Sequence, residues 1–341
     1  MSLGLLKNSE EWDKWVENNP QARYVYLSGY LRAVEETFSL PLFPLIYREH
    51  QTIKAIFPAF LTRNLCGERI LVSLPFSEYG GPLGEDEKGK LIETLEEIVK
   101  NLKVKYVEIH GGIGIKKTEK YKRVPICSRC TLNLHGKNLE EIYLSLDRSV
   151  KKNLRKAKNW GLKIERLSRI PLPAFTSLYL ISHKRLGSPP LPLEFFEKLN
   201  DYLSSRIRCV LITFKGKPIS LLLGWSVGIT LHITHILSHH HYWFTRANDI
   251  AHWEMIKWAW EEGKKIFDFG PARYEGQTRY KKKWGTKFYP YFYFYYPPGI
   301  SKSPPLPQKG IWKLLGNTWR YTIPLKLTPV LGKVIRPRLG I

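Results

Sequence analysis

Two hydrophobic periods run along this chain, and where one gives way to the other marks its helices and strands. In Glu10–Asn18, Trp12 and Trp15 fall on or near one face of a short helix, and Ser28–Thr37 reads as a second. Leu45–Tyr47 and Ile53–Leu61 read as paired strands around the polar Glu49-His50-Gln51 turn. Ile70–Leu74 and Val104–Ile109 predict strands, with a helix over Leu91–Leu102 between them. Leu139, Tyr143, Leu146, Val150, Leu154 and Ala157 then recur as one helical face, with Ser149 a possible start for a second helix that Gly161 ends. Helices over Phe175–Leu186 and Leu193–Leu203 follow. Arg208–Phe214 and Ile219–Val227 form a hairpin through Lys215-Gly216-Lys217-Pro218, and Leu231–Leu237 adds a third antiparallel strand.

The next stretch, Asn248 to Tyr296, reads as helix, strand, glycine turn, basic segment and strand. Asn248 or Asp249 can cap the helix. Ile250, Trp253, Ile256, Lys257 and Trp260 recur at helical spacing, with Lys257 the polar exception, and Gly263 suits the left-handed position after the last turn. Ile266–Phe269 reads as a short strand that delivers Asp268 to a turn at Gly270, ahead of the cluster Lys281-Lys282-Lys283. Helices mixed with short strands argue for α+β or α/β rather than a sandwich.

Size and charge narrow the function classes. A chain of 341 residues exceeds one ordinary core, so two domains are expected, and 43% hydrophobic residues can fill them. No apolar run of about 18 residues predicts a spanning helix, and Met1–Lys7 lacks the apolar region of a signal peptide. A cytoplasmic protein is the default expectation. The net charge of +24 points to a polyanionic partner: RNA, a nucleotide-linked substrate, or an anionic membrane face. The charge is uneven, because Gly276–Ile341 holds 13 Lys or Arg and no Asp or Glu. Arg148, Lys151, Arg155 and Lys158 fall on one helical stripe, with Lys152 and Lys156 beside it, a pattern suited to phosphate contact or to a solvated face. Cys127-x-x-Cys130 has no second pair at zinc-site spacing, and His232, His235, His239, His240 and His241 have no nearby carboxylate pattern apart from Asp249 to complete a ligand set, so no metal is expected.

Three motifs resemble the FemAB/FemX-like aminoacyl(acyl)transferase family within the GNAT superfamily of N-acyltransferases. They are Phe267-Asp268-Phe269-Gly270 after a helix ending in glycine, Tyr280-Lys281-x-x-Trp284-Gly285, and the aromatic strand Tyr291–Tyr296. Ser73–Pro82, with its Tyr79-Gly80-Gly81-Pro82 turn, and Lys152-Asn153-x-Arg155-Lys156-Ala157-x-x-x-Gly161-Leu162 are similar to further family segments. The resemblance implies an α+β (mixed α/β) fold of two tandem GNAT-like (acyl-CoA N-acyltransferase-type) domains, with mixed sheets flanked by helices. The expected division is 1–135, 136–300 carrying the Phe-Asp-Phe-Gly strand, and a basic, proline-rich extension over 301–341 packed back on the first domain, with an anionic membrane surface the alternative for its Leu314, Leu315 and Trp319. Ser301–Gln308 would be a linker.

The resemblance also implies chemistry. Acyl transfer to an amine needs proton removal, a stabilised oxyanion and an aligned donor. Asp268, flanked by Phe267 and Phe269, is the candidate for proton handling or acceptor orientation; a strand-end Asp bonding backbone amides would look the same. Lys281 is the candidate for the oxyanion or the donor end. Tyr79, Gly80, Gly81, Arg273, Tyr280 and Trp284 are candidate substrate contacts, and Arg148, Lys151, Lys152, Arg155 and Lys156 candidate phosphate or RNA contacts. Arg273 departs from the small polar residue usual in the family. No tightly bound cofactor is expected. The Gln/Arg-x-x-Gly-x-Gly/Ala motif of coenzyme-A binders is absent, which favours aminoacyl-tRNA over acyl-CoA as co-substrate. The expected acceptor is an amine, with a cell-envelope precursor the family's usual one. Peripheral contact with the inner face of an anionic membrane is a further expectation, and the alternatives are an acyl-CoA-dependent N-acetyltransferase and a non-catalytic RNA- or membrane-binding protein.

Overall fold

The computed structural model describes residues 8–85, 90–111, 120–300 and 310–339. The chain forms two compact units: Met1–Ile126 with Tyr291–Trp312 and Val330–Ile341, and Cys127–Pro290 with Lys313–Pro329.

The first unit opens with helices α1 (Ser9–Asn18) and α2 (Ser28–Phe38), then strands β1 (Leu42–Glu49), β2 (Thr52–Arg63), β3 (Arg69–Ser73) and β4 (Leu83–Gly84), helix α3 (Lys90–Asn101) and strand β5 (Tyr106–His110). Asn8 caps α1, its side chain accepting from the Glu11 amide at 3.0 Å. The β1–β2 hairpin turns on His50 and Gln51, both at positive φ, the backbone that a two-residue turn requires. β3 and β5 run parallel while β1–β2 and β2–β3 are antiparallel, so the sheet is mixed. Leu45, Phe57, Leu71, Leu95 and Val107 build its core.

The chain then runs through β6 (Lys122–Asn133), α4 (Leu139–Ser145), α5 (Arg148–Lys158), β7 (Lys163–Leu167), α6 (Leu172–Leu186), α7 (Leu193–Leu203), β8 (Ile207–Phe214), β9 (Lys217–Val227), β10 (Thr230–Ser238), α8 (Ala247–Glu261), β11 (Ile266–Ala272) and α9 (Glu275–Lys282). It closes with β12 (Lys287–Tyr296), α10 (Gly310–Thr322) and α11 (Thr328–Leu339). In the second unit the strand order is β6-β11-β10-β9-β8-β7. The meander β7–β10 is antiparallel, and β11 returns parallel to β10 after the crossover helix α8. Helix α8 lies on the sheet through Ile250, Ala251, Met255, Ile256 and Ala259, with Val150, Leu154 and Ala157 of α5 in the same core.

Several expectations need correction. The second helix that Ser149 was expected to open starts one residue earlier, at Arg148, because Asp147 caps it: its carboxylate accepts from the Ser149 amide at 2.7 Å. Helix α8 begins on Arg246, in the left-handed region without a side-chain cap, so Asn248 and Asp249 lie in its first turn instead of capping it. The basic segment after Gly270 is helix α9. Strands β6 and β7 carry too many charged and polar residues for alternation to reveal them. The stretch Ser301–Gln308 lies outside the described residues.

Candidate active site

Strands β10 and β11 pair in parallel only from Thr230 with Ile266 to His232 with Asp268, although β10 continues to Ser238 and β11 to Ala272. On its other edge β11 pairs with β6 up to Asp268 and resumes at Pro271 with Arg129. Phe269 and Gly270 therefore have no ladder partner in either register. Buried backbone polar groups need partners, and here side chains supply them. The Gly270 amide donates to Asp268 Oδ1 at 2.9 Å, and the Phe269 carbonyl accepts from Lys281 Nζ at 2.7 Å. Lys281 Nζ also donates to the Pro271 carbonyl at 2.7 Å. Gly270 sits at φ +71°, and a Cβ there would stand 3.0 Å from the Ile233 carbonyl oxygen. Only glycine fits both the backbone and the gap.

Two charged side chains are thus buried at one bulge. Asp268 is fully buried, and its Oδ2 accepts from Arg129 Nε at 2.9 Å. Lys281 is 5% exposed. The ring of His232, the register partner of Asp268, is buried beside Gly270, with Nε2 3.9 Å from the Cβ position there. Sequence reading identified Asp268 and Lys281 but not Arg129, which is 139 positions from its partner.

A second buried polar group lies between α8 and α9. The Tyr280 hydroxyl is 3.4 Å from Asp249 Oδ1 and 3.2 Å from His252 Nδ1. Asn153 Nδ2 on α5 donates to Asp249 Oδ2 at 3.2 Å. Burial pushes the Asp249 carboxyl up to about 6, against the opposing pull of Arg246. Burial pushes His252 down to about 4, although its ring bonds the Asn248 carbonyl at 2.7 Å, and Lys281 lowers it further. The His252 ring stacks on Phe269 at 5.5 Å and an 11° interplanar angle, linking this network to the bulge. Neither Asp249 nor His252 was a sequence candidate. The signal available was that α8 places both, with Ile250 and Ala251, where a helix face should be apolar.

Trp284 joins this network: it is fully buried, with ring centroids 5.5 Å from His252, 5.9 Å from Phe269 and 6.3 Å from Tyr280. Arg273 is half-buried, its amide donating to Gln277 Oε1 at 2.8 Å. Arg148, Lys152, Arg155 and Lys156 are exposed on α5, whereas Lys151 folds back to donate to the Leu144 carbonyl at 2.7 Å. In the first unit, Tyr79 is buried with its ring against Tyr291 at 5.2 Å. The Gly80 amide donates to the His110 carbonyl at 2.8 Å, and the Gly81 carbonyl accepts from the Tyr26 hydroxyl at 2.7 Å. All four cysteines are free, and burial pushes the Cys130 thiol up to about 11. The rings of His239, His240 and His241 pack on one another, and among the described residues no group of three His, Cys, Asp or Glu could hold a metal. No described helix is long and apolar enough to cross a membrane.

Known proteins now give this geometry a context. Residues 147–282 match the family described as an acetyltransferase (GNAT) domain. The fold is similar to that of FemX, with a TM-score of 0.69 at 15% identity over 85% of this chain and 96% of that one. It is similar to the C-terminal domain of a putative lysylphosphatidylglycerol synthetase from Agrobacterium fabrum, with a TM-score of 0.57 at 13% identity over 84% and 91% of the chains. A tandem GNAT protein of the clavulanic acid pathway follows, with a TM-score of 0.54 at 10% identity over 86% and 94%. No curated protein sequence matches the chain. The parallel β10–β11 pair, its crossover helix and the bulged strand with its lysine all fall inside residues 147–282, the segment that matches the acetyltransferase (GNAT) domain family, and the chain has a fold similar to that of FemX.

Proposed function

We propose that the protein is an N-acyltransferase that moves an aminoacyl or acyl group from an activated donor to an amine, with the reacting carbonyl held where β10 and β11 part. The observation that carries this reading is Lys281, a buried amine fixed by two backbone carbonyls at the bulge. Its charge would stabilise the oxyanion that forms when the acceptor nitrogen attacks the acyl carbon. Such fixed charge in a site shielded from water acts without reorganisation. The new C–N bond forms, the bond from carbonyl carbon to the donor's leaving oxygen breaks, and the proton lost by the amine goes to that oxygen. Asp268, held by Arg129, orients this edge of the site. Tyr79, Gly80 and Gly81 of the first unit stay candidate substrate contacts on family resemblance alone.

Aminoacyl-tRNA is the favoured donor. The exposed cations Arg148, Lys152, Arg155 and Lys156 lie on a helix rigidly packed against α8, and the segment His239–Arg246 that leads into α8 contains no glycine to cradle a pyrophosphate. Structures similar in fold carry the names FemX and lysylphosphatidylglycerol synthetase, and the second name itself joins an aminoacyl residue to a lipid. A cell-envelope precursor is the proposed acceptor class.

Radiolabelled aminoacyl-tRNA and acetyl-CoA, each incubated with a panel of amines that includes a lysine-bearing peptide, test the reading. Transfer from charged tRNA that Lys281→Ala abolishes supports it. Transfer from acetyl-CoA alone would replace the donor, and no transfer from either would sink the assignment.

A further inference from the structure

Helix α10 presents its apolar residues the wrong way round for a soluble surface helix. Trp319 is 7% exposed and faces inward, one turn from the buried Gly316. That inner face is anchored to α6. Gly187 approaches so closely that a Cβ on it would stand 2.5 Å from the Gly316 carbonyl oxygen. Lys184 Nζ donates to the Trp319 carbonyl at 2.8 Å and to that of Ile323, and Arg320 Nε donates to the Arg185 carbonyl at 2.9 Å. The helix cannot roll over to hide its other side without breaking these contacts. On that outer side Leu314 is 66% exposed, Leu315 50% and Tyr321 77%. Leu325 and Leu327 continue the exposed apolar surface past the end of the helix, at 39% and 52%.

The charges carried by this segment and by the helix that anchors it have one sign. Lys313–Pro329 contains Lys313, Arg320 and Lys326 and no acidic residue. Helix α6 beneath it contains no acidic residue either, and contributes Lys184 and Arg185. A protein partner would ordinarily be met by mixed charge at the rim of such a patch. Exposed leucines and a tyrosine on a segment whose charges are all cationic match instead an interface with apolar depth and negative head groups.

We propose that the outer face of Lys313–Pro329 is a docking surface for an anionic lipid membrane, with Leu314, Leu315 and Tyr321 entering the head-group region and Lys313 and Lys326 facing its phosphates. This inference does not depend on the acyl-transfer reading.

Co-sedimentation of the full chain with lipid vesicles tests it. The chain should pellet with vesicles containing phosphatidylglycerol and bind phosphatidylcholine vesicles at least about tenfold more weakly, since each cation near an anionic surface adds appreciably to binding. The triple variant Leu314→Ser, Leu315→Ser, Tyr321→Ser and the double variant Lys313→Glu, Lys326→Glu should each stay in the supernatant while melting cooperatively like the parent. Three results would overturn the proposal: no pelleting of the parent, unchanged binding by the triple variant, or a parent oligomer in light scattering that the triple variant disperses. The second would reduce the effect to charge adsorption, and the third would make a second copy the occupant.

Discussion

Lys281 Nζ stands 2.7 Å from the carbonyl oxygen of Phe269, twelve positions earlier in the chain. That bond replaces a strand–strand hydrogen bond at a place where neither neighbouring strand pairs with β11. A side chain used this way has both a structural and a chemical consequence. Lys281→Met should cost about 1–3 kcal/mol in stability, because buried carbonyls lose their donors. It should also lower transfer by about a hundredfold or more if the charge stabilises an oxyanion. Urea denaturation and single-turnover kinetics separate the two, and a stability loss with an unchanged rate would confine Lys281 to the fold.

The Arg129–Asp268 pair predicts a strongly non-additive cycle. Asp268 is fully buried while the Arg129 side chain is 20% exposed. Asp268→Asn alone should destabilise by about 3 kcal/mol, since it leaves a guanidinium half of its pair inside the protein. Arg129→Met with Asp268→Asn should cost less than the sum of the single changes. Additive costs from urea titrations would mean that the two side chains do not depend on one another.

Asp249 and His252 should tilt the pH dependence of stability in opposite directions. With its folded pKa raised to about 6, Asp249 keeps a proton that the unfolded chain gives up, so it makes stability fall as pH rises through about 4 to 6. His252, lowered to about 4, resists a proton that the unfolded chain takes, so it makes stability fall as pH drops from about 6.5 to 4. Asp249→Asn should therefore gain up to about 3 kcal/mol near neutrality and leave a rising slope across that window. His252→Gln should leave a falling one. Denaturant midpoints at half-unit pH steps measure both, and parallel profiles for the two variants would contradict the assignment.

The exposed cations of α5 should reveal themselves in salt dependence. If Lys152 and Arg155 contact donor phosphates, changing both to Gln should reduce the slope of log affinity against log salt for tRNA by about 2. Fluorescence anisotropy of labelled tRNA over a salt series gives that slope. An unchanged slope would return these residues to a solvated helix face.

Much of this molecule was legible along the chain. The β8–β9 hairpin, the helix at Ala247–Glu261, the left-handed Gly263 and the strand bearing Asp268 all follow from side-chain spacing and from glycine's access to positive φ, and both depend only on near neighbours. Lys281 was visible by type and position. What Lys281 and Asp268 do was not. Their partners are the Phe269 and Pro271 carbonyls and Arg129, and those meet them only because β11 loses its register between β10 and β6. Strand pairing joins residues that no local pattern connects, so Gly270 marked the break in the strand but the partners gathered at the bulge had no signature in the sequence. Burial of Asp249 and His252 was likewise decided by packing α5 and α9 against α8, and desolvation, which sets their protonation, exists only once that packing is made.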